Sequence, residues 1–111
     1  MSRSFRLTRR AEASLIEIAR WTIDNFGLKQ AEHYEAELIG RCQAILEGQA
    51  QSRSCAVLVD DADDLRFVRA GEHFVVFLDH PDEVVIVDIL HSRCDLSRHV
   101  AALASSRYDD S

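Results

Sequence analysis

Apolar residues recur along the chain with two different periods, and the switch between them sets the expected architecture. Phe5-Arg6-Leu7 alternates apolar and polar and predicts a short strand. Thr8 then offers a hydroxyl to the first free amides of a helix. From Arg9 to Phe26 the residues Leu15, Ile18, Ala19, Thr22 and Phe26 return at steps of three and four, which draws one stripe along a helix. Ile16, Trp21 and Ile23 flank that stripe. They either widen the core face or line a groove for an amphipathic partner segment. Gly27 stands where a left-handed cap would end the helix. A second stripe, Ala31, Tyr34, Leu38, Cys42 and Ile45, follows almost at once and stops at Gly48. Two helices joined by so short a break fold back as an antiparallel αα-hairpin.

Residues 48–64 are rich in Gln, Ser and Asp, with a small apolar patch at 56–59, and are expected to form a mobile loop. Beyond them the period falls from 3.6 to 2. Residues 65–70 and 73–79 read as strands about a turn at Gly71-Glu72, and 84–90 as a β-branched third strand after a turn at 80–83. Simple alternation points Val85, Val87 and Ile89 to one face and Val84, Ile86 and Leu90 to the other. Both sets are apolar, so the strand is covered on both faces or offers one to a partner. Residues 96–104 are expected to form a short helix capped by Asp95, with 105–111 a flexible tail. The reading is a single domain over residues 1–111 of α+β class: a short N-terminal strand, then an αα-hairpin packed on a small antiparallel sheet.

Charge narrows the functions available. With 13 basic and 19 acidic residues the formal charge is −6, which argues against a protein that coats a nucleic-acid backbone. Arg3, Arg6, Arg9 and Arg10 nevertheless open the chain without an acid among them, while Asp60, Asp61, Asp63 and Asp64 form an acidic knot. That knot lacks the glycine and spaced oxygens of a calcium loop, and its expected role is a solvated surface. Cys42, Cys55 and Cys94 are too widely spaced for a zinc knuckle and odd in number, as expected of free thiols in a reducing cytoplasm. No segment is long and apolar enough to span a bilayer, no secretory leader is evident, and no metal or cofactor motif is present.

Several pieces resemble the ParE toxins of the RelE/ParE superfamily. They are Leu7-Thr8 before the first helix, Ile18, Phe26-Gly27, Gln30-Ala31 and Tyr34 across the hairpin, and Leu65-Arg66 with Gly71-Glu72-His73 at the first β-turn. The strongest is Ile89-Leu90-His91-Ser92-Arg93-Cys94-Asp95, similar to the family's closing hydrophobic strand and Leu-His-x-Arg-x-Asp. Asp88 stands where the family commonly has arginine, Arg9 where proline often opens the helix, and residues 49–54 replace a usual Pro and Gly.

The resemblance implies the toxin of a type II toxin–antitoxin module, a non-enzymatic inhibitor of DNA gyrase neutralised by a ParD-like, ribbon-helix-helix antitoxin, without direct nucleic-acid binding. His91, Arg93, Asp95, Arg66, Arg69 and His73 are the candidate target contacts, and Ile16, Trp21, Ile23 and Phe67 the candidate antitoxin groove. Two alternatives stand beside it. One is a ribosome-dependent mRNA endonuclease of the RelE type, for which His73, His91, Arg66, Arg69 and Arg93 are the only set suited to acid–base work and phosphate charge. Near absence of lysine and the lack of a tyrosine in the sheet segments weigh against it. The other, motivated by Asp88, is a degenerate member that binds its antitoxin without toxicity. A purely structural role also remains open, with His91 bonded to backbone and Arg93 paired to Asp95 or Asp88.

Overall fold

The computed structural model describes residues 3–60, 62 and 64–105. Along the chain run β1 (Ser4–Leu7), α1 (Arg9–Phe26), α2 (Leu28–Leu46), β2 (Arg53–Ser54), β3 (Leu65–Ala70), β4 (His73–Asp79), β5 (Glu83–His91) and α3 (Leu96–Ser105). A strand, an αα-hairpin and a meander are thus present as the periods predict, and the protein is α+β. The sheet differs from expectation in being mixed. Its five strands lie in the order β1-β5-β4-β3-β2, and β1 runs parallel to β5, with Phe5 beside Val84 and Leu7 beside Ile86. Thr8 is the reason the chain leaves β1 straight into a helix. Its hydroxyl accepts from the Ala11 amide at 3.1 Å and donates to the Val87 carbonyl at 2.7 Å, fastening the start of α1 to β5.

Both faces of β5 are covered. The α1/α2 hairpin seals one face, where Ala11, Leu38, Cys42 and Ile45 meet Val75, Phe77, Val84, Ile86 and Ile89. On the other face Val76, Val85, Val87 and Leu90 meet Val100 and Leu103 of α3 together with Cys55 and Ala62. The face to which Ile89 points is a correction. Val76 pairs with Asp88 but Phe77 with Ile86, so Val87 is an extra residue on β5. Such a bulge reverses the alternation beyond it, which turns Ile89 to the helical side and Leu90 to the α3 side.

Residues 48–64 are the second correction. The described residues among them are not all free loop: β2 pairs with β3, and Ser54 Oγ accepts the Ala56 amide at 3.2 Å to start a 3-10 turn, Cys55–Val57. Cys55 and Ala62 are fully buried, so the segment lines the second core. Asp95 caps α3 as expected, accepting from the Arg98 amide at 3.3 Å. Asp61, Asp63 and residues 106–111, which hold most of the expected tail, lie outside the described residues.

Candidate functional site

The ends of β3, β4 and β5 meet at one edge of the molecule, and cross-strand pairing places Ala70, His73 and His91 side by side. The β3–β4 turn is tight, with Gly71 at φ 59°, and a tyrosine from the helical layer fills the space above it. A Cβ on Gly71 would lie 2.7 Å from the Tyr34 ring and 2.8 Å from its hydroxyl, so only glycine fits there. The Tyr34 oxygen accepts the Glu72 amide at 2.9 Å and lies 2.6 Å from His73 Nδ1. The Ala70 carbonyl is farther, at 3.4 Å, which assigns the hydroxyl proton to the His73 nitrogen. Burial, assisted by neighbouring His91, lowers the His73 pKa to about 4, so near neutrality its ring is uncharged and accepts that bond. Burial also pushes the Tyr34 phenol upward, with Glu37 and Glu72 acting in the same direction.

His91 packs edge-on against His73, ring centroids 5.1 Å apart at 79°. It is exposed, and its Nδ1 accepts the Arg93 amide at 3.0 Å. In the neutral ring the proton therefore sits on Nε2. The turn that follows is held from beneath: the Ser92 amide donates to the Glu72 carbonyl at 2.8 Å and the Cys94 amide to the His91 carbonyl at 3.0 Å. Arg93 projects from this turn, exposed, and among the described residues it pairs with neither Asp95 nor Asp88. Arg69 stands at the same edge, its Nε donating to the Gly71 carbonyl at 2.6 Å and its guanidinium 5.5 Å from the Phe74 ring centroid.

The candidate residues are thus not one patch. His73, His91, Arg69, Arg93 and Asp95 gather at the turn edge. Arg66 lies apart, bonded to the Ser52 hydroxyl and carbonyl at 2.7 and 3.0 Å. It borders an open hollow of about 550 Å³ with Ile45, Ala50, Phe77, Asp79 and His80. On α1, Ile16, Trp21 and Ile23 are 54%, 59% and 41% exposed. Helix geometry sets Ile16 and Ile23 on one flank and Trp21 on the other, where its ring meets that of Phe26 at 5.7 Å. Phe67 is half-buried on the far face of the sheet, edge-on to Phe74, and does not join them. Tyr34 reads from the sequence as part of the hairpin stripe and of the family resemblance but not as a site residue; its helical position conceals its reach to the turn.

Asp88 is not a surface charge at the sheet end. It is buried, accepts the Ser14 hydroxyl at 2.6 Å and the Ile89 amide at 2.8 Å, and bridges β5 to α1. Burial raises its pKa against the pull of these bonds and of Arg10 and His99. Cys42 and Cys55 are free thiols pushed up to about 11 by burial, and Cys94 is raised for the same reason, so none is poised as a thiolate. Among the described residues no group of three or more His, Cys, Asp or Glu side chains is placed to hold a metal, and no helix is long and apolar enough to cross a membrane.

A helical hairpin laid over a mixed five-stranded sheet, with histidines and arginines at one edge, defines a small α+β class with known counterparts. A solved structure, the chromosomal ParDE TA system from P. aeruginosa, shares the fold with a TM-score of 0.66 at 18% identity, matching 82% of this chain and 96% of that one. Toxin ParE of Escherichia coli is 32% identical over 96 residues, covering 86% of this chain and 90% of that protein. Residues 5–96 match the family described as ParE toxin of type II toxin-antitoxin system, parDE. The chain belongs to the ParE toxin family.

Proposed function

We propose that this protein arrests growth in the cytoplasm by binding DNA gyrase, without enzymatic chemistry of its own, and that a ParD-like antitoxin holds it inactive. Family membership across residues 5–96 carries the reading. The site is consistent with it: His91 and Arg93 sit exposed on a hydrogen-bonded turn, the arrangement of a preset contact. On the opposite layer, exposed Ile16, Trp21 and Ile23, joined at the hairpin tip by Phe26 and Leu28, offer apolar surface for an antitoxin arm. Asp88 is buried and bonded to Ser14 of α1, so it adds no exposed acid beside His91 and Arg93.

A supercoiling assay with purified gyrase tests the proposal. Excess protein should block supercoiling and trap cleaved DNA, and prior addition of antitoxin should restore the reaction. Normal supercoiling together with cleavage of translated mRNA would instead establish the endonuclease reading. Normal supercoiling with intact mRNA and retained antitoxin binding would mark a member that has lost toxicity.

A further inference from the structure

A chain of short contacts leads from one helical side chain to the turn bearing His91, Ser92 and Arg93. The Tyr34 hydroxyl accepts the amide of Glu72, and the carbonyl of that same residue accepts the amide of Ser92. In parallel, Tyr34 bonds His73, whose ring supports His91, whose Nδ1 takes the Arg93 amide. Both routes start at one oxygen and end on adjacent residues of one turn. The fit at Gly71, where a single added carbon would strike the Tyr34 ring and approach Glu37, shows that α2 and the β3–β4 turn are closely seated on each other.

We infer that Tyr34 is a positioning residue: through Glu72 and His73 its hydroxyl fixes the backbone from which His91 and Arg93 meet the target. This deepens the proposed function and rests on its reading of His91 and Arg93 as target contacts. The hydroxyl, rather than the aromatic ring, carries the effect. Removing it leaves the Glu72 amide and the His73 nitrogen without their partner while the ring still packs against the core beneath the helical hairpin.

Amide hydrogen exchange and growth arrest on induced expression, both with the full chain, test the inference. In Tyr34→Phe the core amides of Val75 and Ile86 should exchange at wild-type rates, while those of Ser92 and Arg93 exchange about tenfold faster. Growth arrest should weaken in step. Gly71→Ala, which displaces the tyrosine from the turn side, should repeat this local pattern and serves if Tyr34→Phe does not fold. Unchanged exchange at Ser92 and Arg93, a uniform acceleration that includes Val75 and Ile86, or full growth arrest despite a loosened turn would each overturn the inference. Arg93→Glu separates the underlying reading: undiminished growth arrest in that variant removes Arg93 from the target contact, whereas the exchange rates alone decide whether Tyr34 holds the turn.

Discussion

Two buried ionisable side chains bias the protein's stability in opposite directions with pH. His73 has its pKa lowered from 6.5 to about 4, so the unfolded chain binds a proton more readily in that window. Its contribution is fully present above pH 6.5 and is lost as the pH falls towards 4. His73→Gln keeps an acceptor for Tyr34 without a titration, so the variant's melting temperature should drop less than that of the wild type between pH 7 and 4.5. Parallel melting curves would contradict this. Asp88 has the reverse sign, because a carboxyl pKa raised by burial lets the folded state hold its proton longer, and stability falls as the pH rises through the raised value. Asp88→Asn preserves acceptors for Ser14 and the Ile89 amide and sheds the buried charge. At pH 7 it should stay within about 1 kcal/mol of wild type or exceed it, while Asp88→Ala, which strands both donors, should cost about 1–3 kcal/mol. Thermal unfolding checks both; an Asn variant as weak as the Ala variant would mean that the charge itself is needed.

Element by element, what the sequence conveys well is local, and what it hides depends on long-range pairing. Thr8, Gly27 and the three- and four-residue steps of α1 and α2 act within a few residues, and the helices form where those signals fall. Direction of β1 is not local. Nothing in Phe5-Arg6-Leu7 reveals that its partner is the last strand, reached in parallel after both helices and the meander. The bulge at Val87 is likewise invisible, since every residue from Val84 to Val87 is apolar and suits either face. Polar composition also misleads across residues 48–64, where two small residues, Cys55 and Ala62, hold the segment against the sheet amid Gln, Ser and Asp. The edge histidines and arginines were legible by type, but their grouping required the strand register, and Tyr34 joined them only through the packing of α2. The second core also makes α3 more than an appendage. Val100 and Leu103 are 0% and 1% exposed against Val85, Val87 and Leu90. Leu103→Ala should cost roughly 2–5 kcal/mol in denaturant unfolding, within the usual range for a buried leucine. A loss below about 0.5 kcal/mol, typical of surface changes, would show that α3 does not seal the sheet in solution.

For the whole molecule, the balance of surfaces decides how it behaves alone and how the proposed antitoxin would act on it. The core consumes apolar residues on both faces of the sheet, yet Ile16, Trp21, Ile23, Phe26 and Leu28 remain exposed along the helical layer. Solvated apolar side chains of this kind add little to folding, so Ile16→Ser or Trp21→Ser should shift stability by no more than about 0.5 kcal/mol. A partner that covers them gains their burial, worth roughly 25 cal/mol per Å² before the costs of association. Because such a partner binds only the folded chain, it must also raise the melting temperature; free antitoxin at 100 times its Kd adds about 2.7 kcal/mol. The chain has a single tryptophan, 59% exposed, which serves as a built-in reporter of that event. Titrating a ParD-like antitoxin lacking tryptophan should shift the emission of Trp21 to the blue in step with the rise in melting temperature, and Ile16→Ser should weaken the affinity while leaving the free protein's stability unchanged. A rise in melting temperature with no change in Trp21 emission would place the antitoxin elsewhere on the molecule, away from the Trp21 flank of α1.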